Sequence, residues 1–507
     1  MVFYKKNKNL PFIAEMETKV DVLNGQNYIP IYKRFFTLNT TNWNSINLKN
    51  PNELLSIQEC DYNQAIVSIQ NTSTSVFFKF SPLLDPLKYM VGKYSDYDFS
   101  LPSLQPTIPK LDDVNNSAYT DSFFSYLSSQ LLHTYDFKHS INFHGSFLGI
   151  KRDFKYNIED EMEQLQHAPY FHEHKNNLFT LNRDIEASGS RKNREKLNIQ
   201  DEQIELTVEN IECTKLVSDT LDDSIIQLDI CIPEQTQTTD IKDDTSSKSS
   251  NTDNEFQQNS ETSEDYDNYD IYATIHKFPV QIIALEKCKD TLDSLLMDYI
   301  SPEEITSALM QVIMTLIVYQ NVFKFTHNDL HTNNIMYIPT DEPYLYYSYK
   351  DIRYKVPTFG RIFKIIDFGR AIYTYDGKRF VSDSFHPDGD AATQYNIEPF
   401  LDFTKPILEP NYSFDLCRLA CSMIDMLPDE SPVYELVDEW CNDDKNRNIM
   451  YKKNGEERYP DFKLYKMIAR TVHNHIPELQ LKKPIFSQYI TTEEHESMDL
   501  NNLINTQ

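Results

Sequence analysis

Residues 327–334 have the sequence HNDLHTNN, which places Asn334 five positions after Asp329. This segment, which we call the HND loop, follows residues 305–323, a run without a charged residue and with apolar residues at helical spacing. Polar residues such as Gln311 are poorly suited to face lipid, so the run predicts a buried helix of a soluble domain in preference to a membrane span. The HND loop is therefore expected to begin where a core helix ends.

Two further segments carry groups of complementary chemistry. Residues 364–369, KIIDFG, predict an apolar strand that delivers Asp367 into a Phe-Gly turn, which we call the DFG turn (367–369). Residues 76–79, VFFK, place Lys79 on another predicted strand. Phosphoryl transfer needs an acid that orients the acceptor hydroxyl, acid and amide oxygens that hold Mg²⁺, and a cation on the phosphates. The three segments supply such groups as Asp329, Asn334, Asp367 and Lys79.

The order HxDxxxxN and then DFG is similar to the pattern of the protein-kinase superfamily. The Asp-Leu-His sequence at 329–331 also resembles haspin-like kinases and phosphotransferases that act on small molecules. The low glycine content, the richness in Asn and Tyr, and residues 78–86 resemble kinase-like proteins of large DNA viruses. The resemblance implies an α+β, two-lobed fold, with a small β-rich N-lobe, a larger helical C-lobe and a long acidic insertion in the N-lobe.

The same resemblance implies roles for individual residues. Three would be catalytic, with His327 bracing the loop in preference to carrying a proton: Asp329, His327 and His331. Three would bind ATP, the last two near the adenine: Lys79, Glu286 and Cys288. Two would hold Mg²⁺: Asn334 and Asp367. Asp415 matches the buried aspartate that supports the catalytic loop of kinases.

The implied organisation has six parts. These are an N-terminal extension (1–64), the first part of the N-lobe (65–154), an insertion (155–271), the last N-lobe strand and hinge (272–288), the C-lobe (289–490) and a polar tail (491–507), whose last dozen residues are expected to be frayed. Periodicity further predicts a hairpin over 65–80, strands over 141–150 and 280–285, and helices over 118–132, 158–166, 291–297, 302–322, 413–426, 432–441 and 461–473.

The chain departs from the kinase pattern at three places. No glycine occurs between Gly25 and Gly92, so a glycine-rich loop before Lys79 is missing, and residues 71–75 are the candidate for the turn over the phosphates. Asn328 stands where most kinases carry an arginine before the catalytic aspartate. The acid that pairs with Lys79 stays unassigned among four candidates: Asp121, Glu159, Glu161 and Glu163.

The formal net charge is −29, and residues 201–270 carry 20 acidic against 3 basic side chains. That balance disfavours binding to nucleic acid or to an anionic membrane as the main function. Residues from about 233 to 270 contain almost no apolar side chain and are predicted to be disordered. Seven cysteines without a CxxC pair favour a reducing compartment. We expect a soluble intracellular protein, located in the host cytoplasm or the virion if it is viral.

Three functions remain in competition. The preferred one is ATP- and Mg²⁺-dependent phosphoryl transfer to Ser/Thr hydroxyls of a protein substrate, because Lys79, Asp329, Asn334 and Asp367 are all retained. A pseudokinase scaffold is favoured by the missing glycine-rich loop. A small-molecule phosphotransferase is favoured by the Asp-Leu-His sequence. The oligomeric state is left open.

Overall fold

A computed structural model describes residues 2, 4–48, 54–70, 72–183, 271–429 and 431–504. The strands of this part of the chain are β1 (Tyr4–Lys6), β2 (Val22–Gln26), β3 (Ile46–Leu48), β4 (Leu54–Asp61), β5 (Gln64–Ile69), β6 (Thr72–Pro82), β7 (Phe143–Asn157), β8 (Phe179–Leu181), β9 (Tyr272–Glu286), β10 (Asp290–Thr291), β11 (Ile335–Pro339), β12 (Tyr344–Tyr349), β13 (Ile352–Pro357), β14 (Arg361–Ile365), β15 (Ile372–Tyr375), β16 (Lys378–Val381), β17 (Ile490–Thr491) and β18 (Met498–Asp499).

The α-helices of the same residues are α1 (Leu10–Lys19), α2 (Pro86–Met90), α3 (Pro109–Asp112), α4 (Ser117–Tyr135), α5 (Met162–Gln166), α6 (Pro169–His174), α7 (Leu292–Met297), α8 (Pro302–Phe323), α9 (Phe414–Met423), α10 (Pro432–Trp440), α11 (Lys463–Thr471), α12 (Pro477–Gln480), α13 (Pro484–Ser487) and α14 (Leu500–Ile504). Helix and strand are mixed along the chain, so the expected α+β class is confirmed. The predicted disorder of residues 233–270 lies outside the described residues.

The largest sheet has the strand order β2-β7-β9-β6-β5-β4, with β8 added to β9. The hairpin expected over 65–80 is present, because β5 and β6 pair antiparallel from Gln64 opposite Phe77 to Ile69 opposite Thr72. This register puts Lys79 at the end of the hairpin that lies next to the β4–β5 turn, far from residues 71–75. Lys79 and Phe77 share one face of β6 because strand side chains alternate.

Helix α4 begins at Asn116, whose side chain accepts a 3.1 Å hydrogen bond from the Ala118 amide, and ends at Asp136 in the left-handed conformation. Its middle is buried, and Phe124 packs with Phe368 of the DFG turn at 4.6 Å between ring centroids. The apolar periodicity predicted this helix. The same burial takes in Asp121, which is only 2% exposed.

Helix α8 is the core helix expected before the HND loop. Ser301 and Glu304 form a capping box at its N-terminus, and Lys324 ends it in the left-handed conformation. The helix is apolar and long enough to cross a membrane, but 94% of its most apolar window is buried inside the protein. The predicted core helix is therefore confirmed, and its burial is consistent with a soluble protein.

Three expected boundaries are corrected by the structure. The expected N-terminal extension 1–64 is part of the fold, because β2 and β4 are strands of the large sheet. Residues 158–183 also belong to the fold, since β8 pairs with β9, so the insertion begins later than residue 155. The tail is not frayed up to residue 504, because β18 pairs with β12 and α14 buries Leu500 and Leu503. Isolated leucines within a polar segment were enough to anchor it.

Candidate active site

Lys79 lies between two carboxylates that come from separate parts of the chain. Its Nζ is 2.7 Å from Oδ2 of Asp121 on α4 and 2.9 Å from Oδ1 of Asp367 in the DFG turn. Asp121 also accepts a 3.0 Å hydrogen bond from the Phe368 amide, so it holds both the lysine and the turn. The unassigned acid partner of Lys79 is thus Asp121. The alternative Glu161 instead accepts a hydrogen bond from Tyr156, at 3.2 Å.

Burial and neighbouring charges set the pKa values of Lys79, Asp121 and Asp367. Burial alone would lower the pKa of Lys79, but Asp121 and Asp367 raise it above the usual lysine value. Burial would raise the pKa of Asp367, yet the Lys79 ammonium holds it below the usual value. For Asp121 burial prevails, and its pKa is raised despite Lys79. One cation shared by two carboxylates leaves a net negative charge that a bound cation would balance.

Asp329 faces the same cleft and has both carboxylate oxygens engaged. Its Oδ1 accepts a 2.7 Å hydrogen bond from the Tyr465 hydroxyl, and its Oδ2 is 3.0 Å from Nη1 of Arg370. Burial would raise the pKa of Asp329, but Arg370 foremost, and then His331 and Arg418, hold it well below the usual range. Asp329 is therefore a carboxylate that can orient a hydroxyl, and it is a poor proton acceptor in its resting state.

The backbone of the HND loop is fixed by a buried aspartate on α9. Asp415 accepts 2.9 Å hydrogen bonds from the amides of both His327 and Asn328. His327 is fully buried, and its Nε2 donates to the Ile366 carbonyl at 2.9 Å. The imidazole therefore ties the HND loop to the strand that leads into the DFG turn. This is the bracing position expected for His327, and it gives the ring no access to the cleft.

Asn334 and His331 contact each other inside the HND loop. The amide nitrogen of Asn334 donates to the Asp329 carbonyl at 2.9 Å and lies 3.0 Å from Nε2 of His331. These contacts leave the side-chain oxygen of Asn334 as its group for a cation. Hard oxygen ligands from one carboxylate and one amide, completed by phosphate and water, are the set that Mg²⁺ takes at nucleotide sites. Asn334 and Asp367 fit that requirement.

The residues expected near the adenine line a small apolar pocket. Glu286 and Cys288 lie there with Phe77, Leu285 and Met336, and the pocket also shares Lys79 with the large cleft. Glu286 uses its carboxylate within the protein, 2.6 Å from Nζ of the buried Lys364. Burial raises the pKa of Cys288 above the usual thiol value, so this cysteine is not a reactive thiolate.

The turn beside Lys79 in the large cleft is not the one expected. Residues 61–64, which comprise the β4–β5 turn and one strand residue on either side of it, line the large cleft together with Lys79, Asp121, Asp329 and Asp367. The cleft encloses about 1040 Å³. Residues 72–75 of the expected turn do not lie there, because the β5–β6 register puts them at the opposite end of the strands. The β4–β5 turn contains Tyr62 and Asn63 in place of glycine, with Tyr62 in the left-handed conformation.

Three residues of the site were missed in the sequence. Arg370, which directly follows the DFG turn, reaches Asp329 and also donates from Nε and Nη2 to Oδ2 of Asp390, at 3.1 and 2.7 Å. Its position after the turn was a usable signal. Tyr465 and Asp390 had none, because a tyrosine in a predicted helix and an aspartate in a polar loop are unremarkable on their own.

Within the described residues, no group of three or more His, Cys, Asp or Glu side chains could hold a metal ion. A cation at Asn334 and Asp367 would therefore depend on ligands from a bound nucleotide. Comparison of the chain with protein-family models and with curated proteins finds no match. The site is thus interpreted from its own geometry.

Proposed function

We propose that this protein is an ATP- and Mg²⁺-dependent phosphotransferase with a two-lobed, protein-kinase-like fold, acting on Ser/Thr hydroxyls of protein substrates. The observation that carries the proposal is the position of Lys79, with its Nζ within 2.9 Å of both Asp121 and Asp367. A lysine held this way, beside a cleft that also contains Asp329, offers the cation and the acids that phosphoryl transfer requires.

Each residue then has a separate task. Lys79 neutralises phosphate oxygens, and Asp121 keeps its ammonium pointed into the cleft. Asp329 orients the acceptor hydroxyl. Asn334 and Asp367 would hold Mg²⁺, which neutralises charge on the phosphates when it is bound. Backbone groups around Glu286 and Cys288, which line the apolar pocket, would contact the base. Most of the rate in this chemistry comes from such positioning and electrostatics.

A protein acceptor is preferred over a small alcohol because a long segment, residues 370–410, lies between the DFG turn and α9. The β15–β16 hairpin, residues 383–390 and the loop around residue 403 follow one another along it, and Phe403 at the loop is 86% exposed. The small-molecule alternative rests on the Asp-Leu-His sequence alone.

A second candidate is a kinase-like scaffold that binds nucleotide without transferring phosphate. Two observations favour it: the β4–β5 turn carries side chains where close backbone approach to phosphates would call for glycine, and both oxygens of Asp329 are engaged. The retained group of Lys79, Asp121 and Asp367 favours the enzyme.

The deciding experiment is incubation with radiolabelled ATP and Mg²⁺. One set of reactions contains generic Ser/Thr protein acceptors, and another contains aminoglycoside- or choline-like alcohols. Label on protein hydroxyls supports the proposal, and label on the alcohols alone supports the small-molecule alternative. Nucleotide binding without transfer to any acceptor, or to the protein itself, would establish the scaffold.

A further inference from the structure

A short N-terminal segment, residues 30–36, contacts two elements next to the candidate active site, α4 and the β15–β16 hairpin. It follows β2, which pairs with β7 in the large sheet, and it precedes β3, which pairs with β1. Its first part is a 3-10 helix, Pro30–Arg34, whose Ile31 and Tyr32 are buried. The sheet therefore fixes where this segment, which we call the N-terminal wedge, lies.

The wedge contacts the β15–β16 hairpin through Phe35 and Arg34. The Phe35 ring stacks on Phe380 at 5.9 Å between centroids, and the Arg34 guanidinium lies 4.1 Å from the centroid of the same ring. Arg34 also donates from Nη2 to the Arg379 carbonyl at 2.7 Å. In return, Lys378 donates to the Arg34 carbonyl at 2.5 Å. The hairpin is thus held through both its side chains and its backbone.

The wedge contacts α4 through the same phenylalanine. Phe35 lies 4.9 Å from Phe123, which in turn lies 5.2 Å from Phe380, so the three rings form one cluster. The hairpin adds a direct hydrogen bond to the helix, from the Tyr373 hydroxyl to the Thr120 carbonyl at 2.9 Å. Phe35 therefore completes the contact that joins α4 to the hairpin.

The position of α4 matters because Asp121 precedes Phe123 by two residues. Asp121 holds Lys79 and the Phe368 amide, and a movement of α4 by an ångström or two would break both contacts. Packed elements of this kind switch between discrete arrangements and do not deform continuously.

We infer that the N-terminal wedge is an intramolecular positioning element, in which Phe35 and Arg34 hold α4 against the β15–β16 hairpin and so keep Asp121 on Lys79. Its effect on phosphoryl transfer rests on the proposed function. Its effect on the order of α4 does not. The described residues that line the cleft include none of the wedge. Phe35 therefore acts through its contacts with α4 and the hairpin, chiefly Phe123 and Phe380, and is not a catalytic residue.

The test compares Phe35→Ala and Arg34→Ala with Phe36→Ala as a matched control. Phe36 is the neighbouring ring, and its aromatic contacts among the described residues are with Tyr4, Tyr32 and Phe35. Phe35→Leu is the conservative variant that restores apolar contact. The readouts are amide hydrogen exchange in the full-length protein without nucleotide, and kcat and KM for Mg²⁺-ATP.

In Phe35→Ala we expect exchange in α4 and in the hairpin to rise about tenfold, with α8 unchanged, and kcat to fall by about the same factor. Phe35→Leu should restore most of the wild-type protection from exchange and most of kcat. Arg34→Ala should change both quantities less than Phe35→Ala but in the same direction. Phe36→Ala should match the wild type. If Phe35→Ala fails to fold, Arg34→Ala and Phe35→Leu carry the comparison.

If amide hydrogen exchange in α4 is as slow in Phe35→Ala and Arg34→Ala as in the wild type, the inference is wrong. An equal increase in Phe36→Ala, or a changed exchange with unchanged kcat, would also overturn it. If the wild type transfers no phosphate to any acceptor, the proposed function fails while the exchange measurement still decides whether the wedge positions α4.

Discussion

The hydroxyl of Tyr465 donates a 2.7 Å hydrogen bond to Oδ1 of Asp329, and Arg418 donates to that hydroxyl at 2.8 Å. The acid of the HND loop is thus oriented from α11, a helix far along the chain. Tyr465 is 4% exposed and cannot leave its place without repacking. A carboxylate held from one side by a phenol and from the other by Arg370 presents its remaining lone pairs in a defined direction.

Replacing Tyr465 with Phe should lower kcat about tenfold and leave nucleotide affinity unchanged, because only the orientation of Asp329 is lost. Tyr412→Phe is the control, since its hydroxyl contacts the Gln320 carbonyl away from the cleft. Transfer assays and nucleotide titrations of both variants check the expectation. A weaker nucleotide affinity in Tyr465→Phe would show that this residue does more than orient Asp329.

Asp367→Asn and Asp329→Asn should both lose activity but differ in binding. Asp367→Asn removes a charge from the proposed cation site, so Mg²⁺-dependent nucleotide binding should weaken together with transfer. Asp329→Asn should keep its nucleotide affinity and lose on the order of 10² or more in turnover. Fluorescence titration of nucleotide with and without Mg²⁺, beside a transfer assay, separates the two. Equal loss of binding in both variants would contradict the separate roles of the two aspartates.

Asp121→Asn should reduce transfer by about 10², because Lys79 loses its closer carboxylate and Asp367 then competes with phosphate for the ammonium. Glu163→Gln provides the control, being an exposed acid that was a candidate for the same partnership. The variants are compared by turnover at saturating Mg²⁺-ATP. If Asp121→Asn keeps the turnover of the wild type, Asp121 is not needed to position Lys79 for transfer.

Activity should not require phosphorylation after the DFG turn. Asn328 has no charge for a phosphate, and its side chain bonds to Tyr395 and to the Arg370 carbonyl, at 2.7 and 2.9 Å. Asp390 already supplies a fixed negative charge to Arg370. Phosphatase treatment should leave turnover intact, while Asp390→Asn should lower it about tenfold. If phosphatase treatment abolishes turnover and rephosphorylation restores it, this expectation is wrong.

Asn328→Arg should destabilise the fold, because Asn328 is fully buried and an arginine would bring an unpaired charge into the core. We expect a loss of several kcal/mol in the free energy of unfolding, since an uncompensated buried charge is strongly destabilising. Chemical denaturation measures it. A stable Asn328→Arg protein would show that the loop can rearrange around the new side chain.

Burial lowers the pKa of His139 from 6.5 to about 4. We therefore expect the free energy of unfolding to fall as the pH drops from about 6.5 to about 4. The neutral ring donates to the Phe363 carbonyl and accepts from Tyr347, while the unfolded chain takes up a proton. Its contribution is therefore complete above the unfolded pKa and is lost at about 1.4 kcal/mol per pH unit below it. The stability difference between wild type and His139→Gln should narrow over that range, as followed by denaturation. Parallel curves would exclude His139 as the titrating group.

Much of the secondary structure was predictable because it depends on local pattern. The apolar spacing of α4 and α8, and the alternation of β5 and β6, are repeated over enough residues to outweigh chance. Short elements at the chain ends were missed. β2 and β18 have only five and two residues, so they carry too little pattern, and their pairing with β7 and β12 gives them their stability.

The candidate site divides in the same way. Lys79, Asp329, Asn334 and Asp367 stand in short segments whose spacing indicates their chemistry before any fold is known. The partner of Lys79, the support of Asp329 by Tyr465 and the contact of Phe35 with α4 depend on distances of a few ångströms between residues far apart in the chain. Spacing along the chain carries no information on such distances, because they result from how helices and strands pack together. Asp121 was one of four candidate partners of Lys79 in the sequence, and its buried position beside Lys79 in the structure identified it.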